Sequence, residues 1–185
     1  MLLSPQAERN WESLCSVLED VLEDQSHRQL FALELGSGTG QHVIRFAQKM
    51  PFVTWQPSDI QEASRESIKA YIAATQTQTV LQPLHLDASE SWEKWGGFPK
   101  IPVTHHCHQL TAVQLLSNCT GVYAVNGIIT PSCNEHLDAE IRKLNPEWGL
   151  PDIDVLRQQA YTNGLRLERM VEMEDYYKCL IFRKL

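Results

Sequence analysis

Residues 30 to 40, LFALELGSGTG, decide how the rest of the chain is interpreted. The first six residues are apolar apart from Glu34, and glycines follow at positions 36, 38 and 40. A short apolar run that ends at a glycine is typical of a buried parallel strand. Residues 41–50 carry their apolar side chains on one side and predict a helix, which Pro51 stops. The stretch therefore predicts a strand, a glycine turn and a helix.

The same alternation continues through the N-terminal half of the chain. Residues 6–23 have apolar positions three and four apart and predict an amphipathic helix. After the glycine turn and its helix, the sequence predicts a second strand, a helix and a third strand at residues 52–56, 62–75 and 80–87. Pro83 indicates that the third strand begins at an edge or a bulge. This order predicts a parallel α/β sheet with right-handed crossovers and helices on both faces.

The C-terminal part has a different pattern. Two helices are predicted: residues 134–144, started by Asn134, and residues 152–163, capped by Asp152 and stopped by Gly164. Two strands, at residues 165–173 and 176–185, are joined near Glu174 and Asp175 and predict an antiparallel hairpin at the sheet edge. Residues 98–127 predict no more than a short helix near 110–116 and a short strand near 122–125.

Length and composition narrow the class of protein. A chain of 185 residues fits one domain, residues 1–185. Sixteen Lys and Arg against 23 Asp and Glu give a net charge of −7, which argues against a nucleic-acid partner held by a basic face. No leader peptide and no apolar run long enough for a membrane span is evident. Five scattered cysteines without a CxxC pair predict reduced thiols and hence a cytoplasmic or nuclear location.

The glycine turn has the composition of a ligand loop. Because glycine has no side chain, a nucleotide-like ligand can approach the backbone of this turn closely. The following helix offers free N–H groups. Glu34, at the strand end, can accept a hydrogen bond from an ammonium group or from an ordered water. A dinucleotide loop needs the spacing G-x-G-x-x-G, but here the third glycine comes one residue early and Gln41 stands in its place. The spacing disfavours a nicotinamide-dependent oxidoreductase and is typical of the first motif of S-adenosylmethionine methyltransferases.

Acidic residues end three successive predicted strands. Glu34, Asp59 and Asp87 stand where a Rossmann-like sheet binds its ligand, and Asp59 can accept hydrogen bonds from ribose hydroxyls. Each feature alone has a plain alternative: a turn without ligand for the glycine loop, a helix cap for Asp59 and a turn cap for Asp87. Together they predict a binding site for S-adenosylmethionine made of Glu34, Gly36, Ser37, Gly38, Gly40, Asp59 and Asp87.

Longer segments resemble the methyltransferase-like 26 family. They are AERN, LELGSGTGQHVIRFA, WQPSDI, PLHLDAS, WEKWGG, YAVNG, NPEWGLPD and KCLIFRKL, spread over residues 7–97 and 123–185. The resemblance implies a seven-stranded, class I methyltransferase fold with S-adenosylmethionine at the residues just named, and it implies no particular substrate. It also implies that Tyr123 and Asn126 lie at the rim of the active site. For residues 8–10, folding over the cofactor site and an ordinary helix start are both compatible with the sequence.

The chain departs from this family after WGG. The segment FPKIPVTHHCHQLTAVQLLSNCTGV is shorter than the fourth strand, helix and fifth strand that it replaces, as in a splice variant or an altered gene model. Either residues 110–125 supply substitute strands, or the sheet lacks its central fourth strand. Each unpaired backbone group then costs about 1–3 kcal/mol. The rival to an active enzyme is therefore a non-catalytic or defective variant that retains only the cofactor-binding half.

Other residue clusters carry less weight. Residues 105–108, His-His-Cys-His, are adjacent and have no second cluster to complete a tetrahedral site, so no metal is predicted. Trp92, Trp95 and Trp148 are packing anchors or, alternatively, a wall for the adenine or the substrate. The sequence predicts methyl transfer from S-adenosylmethionine to a small-molecule or protein acceptor. It assigns no catalytic residue and leaves the oligomeric state open.

Overall fold

The computed structural model describes residues 1–87, residue 90 and residues 120–185. These residues form two compact units, one up to residue 90 and one from residue 120 onward. The predicted helix near 110–116, the histidine cluster at 105–108 and the residues Trp92 and Trp95 lie outside the described residues.

The first unit follows the predicted order of helices and strands. It consists of α1 (Pro5–Leu22), β1 (Leu30–Leu35), α2 (Gln41–Lys49), β2 (Val53–Ser58) and α3 (Glu62–Thr75). β1 and β2 are parallel, with Leu30 opposite Val53 and Leu35 opposite Ser58. The predictions for β1 and α3 are confirmed to the residue, while β2 extends two residues beyond the predicted end.

The third predicted strand, residues 80–87, is not a regular strand in the structure. Val80 and Leu84 form isolated parallel bridges with β2. Between them, the backbone carbonyl of Gln82 accepts a hydrogen bond from the side-chain Nε2 of Gln56 at 2.7 Å. Pro83 has no N–H to donate to the ladder, so the chain bulges there, as its position predicted. This segment lies on the side of β2 opposite to β1.

The core of the first unit forms around α2. α1 and α3 both pack against α2, and α2 also packs against β2. Val43 of α2, Val53 of β2 and Ile68 of α3 are fully buried. The ring of Phe46 lies 5.6 Å from that of Trp55, which joins α2 to β2. Burial of these apolar faces explains why the helical and strand periodicities of the sequence predict the elements well.

The second unit consists of two small antiparallel sheets and two helices. Its elements are β3 (Thr120–Gly121), β4 (Ala124–Val125), β5 (Ile128–Ile129), α4 (Ser132–Leu144), α5 (Ile153–Thr162), β6 (Leu165–Glu172) and β7 (Lys178–Lys184). β7 pairs with both β3 and β6, and β4 pairs with β5. The predicted C-terminal hairpin is confirmed as β6–β7, with a short 3₁₀ turn at Glu174–Tyr176.

The helix ends of the second unit test the capping predictions. α4 begins at Ser132, two residues before the expected start, because Asn134 lies inside the first turn and donates its side-chain N–H to the Thr130 carbonyl. Asp152 caps α5 as predicted and accepts the N–H of Asp154 at 2.8 Å. Gly164 has φ +74° and ends the helix region as predicted. Within the two described stretches, no helix is long and apolar enough to cross a bilayer.

Candidate functional site

The glycines of the loop between β1 and α2 have two different roles. Gly36, Gly38 and Gly40 all have positive φ, at +64°, +52° and +88°. A Cβ on Gly40 would lie only 2.8 Å from Cγ1 and 3.2 Å from Cα of Ile68, so this glycine lets the loop pack directly against α3. A Cβ on Gly36 or Gly38 would meet no described atom within 4 Å. These two glycines therefore leave open space beside the backbone.

Asp59 connects this loop to the end of β2. Its Oδ2 accepts the N–H of Gly38 at 2.9 Å, and its Oδ1 accepts the N–H of Gln61 at 2.8 Å. The second bond fits the alternative of a cap near the start of α3, whereas the first ties Asp59 to the glycine loop. A carboxylate has about four lone-pair positions, so about two remain for further donors. Asp59 is thus held in place while its carboxylate can still accept hydrogen bonds.

Glu34 is a buried carboxyl group near the end of β1. It is 7% exposed, and its Oε2 has no hydrogen-bond partner among the described residues. Burial raises the pKa of this carboxyl to about 7; the negative charge of Asp59 adds to the rise, and a hydrogen bond from Ser37 opposes it. An acceptor without a donor is costly inside a protein, so this group is suited to a ligand or water that donates to it.

Ser37 fastens the loop to β2 through Ser58. The N–H of Ser37 donates to the Ser58 carbonyl at 2.9 Å, and the N–H of Ser58 donates to Ser37 Oγ at 3.1 Å. The hydroxyl of Ser58 also donates to the backbone carbonyl of Glu34 at 2.7 Å. Sequence reasoning did not single out Ser58, although its position directly before Asp59 was an available signal.

The remaining predicted residues lie elsewhere in the chain. Asp87 is partly buried, three residues beyond the bridge at Leu84, and its backbone carbonyl accepts the N–H of Glu90. Tyr123 and Asn126 belong to the second unit, where Tyr123 is buried and Asn126 has a positive φ in the β4–β5 turn. Trp148, in the same unit, is 57% exposed, so packing does not bury it there.

The start of α1 contacts the first turns of α2, immediately after the loop. The Glu8 carboxylate accepts hydrogen bonds from Arg45 at 2.6 Å and from Gln41 at 3.1 Å, and the bond from Arg45 lowers the pKa of Glu8. Asn10 Oδ1 lies 2.9 Å from His42 Nε2. Gln41, which replaces the last glycine of a dinucleotide motif, also accepts the hydroxyl of Thr39 at 3.0 Å. Its buried side chain therefore holds the loop and α1 together.

The residue that follows Asp59 has an exposed apolar side chain. Ile60 follows Asp59 directly and is 52% exposed. Sequence reasoning missed this residue, because a single isoleucine after a strand carries no periodic signal. Together, the ends of β1 and β2 present the Glu34 carboxyl group, whose Oε2 has no partner among the described residues, one partly satisfied carboxylate, open glycine backbone and one apolar side chain. A ligand that carries hydroxyls, an ammonium group and a flat apolar ring fits this set of groups.

Solved structures of methyltransferases have a similar fold. Magnesium protoporphyrin IX methyltransferase from Synechocystis PCC 6803, solved with bound SAH, aligns with TM-score 0.58 and 14% identity over 100% of this chain and 88% of that one. An O-methyltransferase family protein from Burkholderia thailandensis aligns with TM-score 0.60 and 13% identity over 94% of this chain and 58% of that one. A Galdieria sulphuraria protein aligns with TM-score 0.55 and 16% identity over 87% of this chain.

These comparisons establish the fold and the family. The chain spans only 63% and 58% of the length of the Galdieria and Burkholderia proteins. Identities this low show the fold alone, and the predicted Rossmann-like methyltransferase fold of the α/β class is confirmed. The family model described as "Protein of unknown function (DUF938)" matches residues 1–116 and 106–184, so the chain belongs to this family.

Proposed function

We propose that this chain binds S-adenosylmethionine at the carboxyl ends of β1 and β2 and transfers its methyl group. The observation that carries the proposal is the pair of carboxyl groups at the glycine loop: Glu34 is buried with no described partner at Oε2, and Asp59 accepts the N–H of Gly38. The methyltransferase fold supports the same ligand, since Synechocystis magnesium protoporphyrin IX methyltransferase was solved with bound SAM and with bound SAH.

The residues fit the parts of this cofactor. Asp59 accepts the ribose hydroxyls at the lone pairs that Gly38 and Gln61 leave unused. Ile60 offers an apolar side chain to the adenine, and the open backbone at Gly36 accommodates the methionine part. We expect the whole set to hold the cofactor: Glu34, Gly36, Ser37, Gly38, Gly40, Asp59 and Asp87. When bound, the cofactor supplies a sulfonium-activated methyl group, and the protein orients it towards the acceptor.

We expect the ionisation of Glu34 to be coupled to cofactor binding. With a pKa of about 7, it is partly protonated at neutral pH before ligand binding. An ammonium group or a water that donates to Oε2 favours the ionised form and lowers this pKa. Cofactor binding is therefore expected to release a fraction of a proton near pH 7, which calorimetry in buffers of different ionisation enthalpy measures.

The remaining parts of the proposal rest on the sequence. The acceptor is a small molecule or a protein side chain, residues 1–185 act as one domain, and the location is cytoplasmic or nuclear. The resemblance to the methyltransferase-like 26 family and the shortened middle segment stay predictions. The family model matches in two stretches, residues 1–116 and 106–184, which overlap at residues 106–116. The rival, a variant that binds the cofactor without turnover, has no observation in its favour beyond that segment.

Isothermal titration with S-adenosylmethionine and S-adenosylhomocysteine tests the proposal. We expect Asp59→Asn to weaken binding by roughly tenfold or more, because a hydrogen bond to a charged group is worth about 1.5–3 kcal/mol. Asp154→Asn is the matched control: it makes the same change at a partly exposed residue of α5 in the other unit. A folded wild-type protein that binds neither ligand would refute the proposal. Tight binding without turnover on any acceptor would favour the non-catalytic rival.

A further inference from the structure

Arg65 reaches back from the first turn of α3 to the loop that carries Asp59. Its Nη1 donates to two consecutive backbone carbonyls, those of Asp59 at 2.9 Å and Ile60 at 2.8 Å. The same nitrogen lies 3.1 Å from Nδ1 of His85. A guanidinium group only donates hydrogen bonds, and the two hydrogens of Nη1 are shared among three acceptors, so Nδ1 of a neutral His85 accepts a shared hydrogen and the ring proton is on Nε2. One cation thus joins α3, the loop after β2 and the third extended segment.

Helix stability does not explain a cation at this position. The N-terminal end of a helix carries a partial positive charge, and a cation in its first turn is disfavoured. The two carbonyls give the reason instead, because the guanidinium binds both and so fixes the peptide between Asp59 and Ile60 and the next one along the chain. Arg65 is three residues before Ile68, so it shares the α3 face that packs under the glycine loop at Gly40.

The orientation of this peptide sets what Asp59 and Ile60 can reach. The Asp59 side chain already bonds to Gly38 and Gln61, and its remaining lone pairs face a ligand correctly only while the main chain keeps this conformation. Without Arg65, two neighbouring carbonyls lose a charged donor, and the loop is free to rotate. A small displacement of a binding carboxylate is enough to weaken a directional hydrogen bond.

We infer that Arg65, supported by His85, is a positioning residue for the Asp59 carboxylate and so determines affinity for the ribose of the ligand. This inference rests on the proposed function, since it needs a ribose at Asp59. Arg65 itself touches main-chain atoms and His85, and it acts on the ligand through Asp59.

The test compares two ligands by isothermal titration: S-adenosylhomocysteine and its analogue without the ribose 2′- and 3′-hydroxyls. Arg65→Met, which keeps most of the aliphatic stem, is expected to weaken S-adenosylhomocysteine about tenfold and the analogue less than about twofold. Arg65→Lys should restore part of the loss. The control is Lys69→Met, which removes a cation of the same helix that pairs with Glu66 on the surface, and it should change neither affinity.

A double-mutant cycle separates positioning from general support. If Arg65 acts through Asp59, Arg65→Met adds little loss to Asp59→Asn, because the two changes affect one interaction. Equal weakening of both ligands, or additive losses in the cycle, would overturn the inference and indicate a structural role. If Arg65→Met does not fold, Arg65→Lys carries the same two-ligand comparison. Absence of binding by the folded wild type, with no substitution made, would instead refute the proposed function and the inference together.

Discussion

Gly40→Ala is the substitution whose effect the structure defines best. Gly40 precedes α2 with φ +88° and ψ +1°, in the left-handed region. An added Cβ would lie 2.8 Å from Cγ1 and 3.2 Å from Cα of Ile68. Cγ1 of Ile68 could move by a rotation of the side chain alone. The Cα of Ile68, however, belongs to the backbone of α3, and this residue is fully buried. The clash can be relieved only by moving the loop away from the helix.

Two costs add at this position. A left-handed conformation costs a non-glycine residue about 1–2 kcal/mol, and overpacking a close-packed site costs about 1–3 kcal/mol. Gly40→Ala should therefore lower the free energy of unfolding by about 2–5 kcal/mol. Gly38→Ala and Gly127→Ala have positive φ but no described atom within 4 Å of the added Cβ, so they should lose only the conformational part, about 1–2 kcal/mol.

Urea unfolding followed by circular dichroism measures these differences, and titration with S-adenosylhomocysteine measures the second expected effect. Gly38→Ala fills space beside the open loop and should weaken this ligand more than tenfold, whereas Gly127→Ala, in the β4–β5 turn, should not. If Gly40→Ala costs no more than Gly127→Ala, the close packing of the loop on α3 is wrong. If Gly38→Ala binds as tightly as the wild type, the ligand does not lie against this loop.

Two further predictions concern single carboxyl groups. The Glu34 pKa of about 7, against an ordinary 4.5, means that the folded state holds the proton more tightly than the unfolded state. The contribution of Glu34 to the free energy of unfolding should therefore fall by about 3 kcal/mol as pH rises from 4.5 to 7, and the difference between the wild type and Glu34→Gln in urea titrations across that range measures it. Asp152→Ala removes the cap of α5 and the bond from the Gly127 N–H, and should lower the thermal midpoint, with a loss of about 1–2 kcal/mol. Asp154→Ala, which breaks only a surface pair with Arg157, should stay within about 0.5 kcal/mol of the wild type, and equal losses in the two variants would contradict the capping role.

Most elements were predictable because their signals are local. An apolar period near 3.6 defines α1 and α3, an apolar run before glycine defines β1, and Asp152 caps a helix wherever that helix lies. The start of α4 was predicted two residues late, since Asn134 favours a cap by type but uses its side chain to bond the carbonyl of Thr130. The third strand was predicted over residues 80–87 with an edge or bulge at Pro83, and the structure has only isolated bridges there, at Val80 and Leu84.

The candidate site also has some features that the sequence predicted and others that it did not. Residue types and spacing alone determined the glycine loop and the acidic strand ends, because close backbone approach and hydrogen-bond acceptance are properties of the residues themselves. Only the tertiary structure decided that Gly38 donates to Asp59, that Glu34 is buried with no donor at Oε2 in the described part of the chain, and that Arg65 binds the loop carbonyls. The physical reason is the register of the parallel strands. It pairs Leu35 with Ser58, and so brings groups about twenty residues apart in sequence within hydrogen-bond distance.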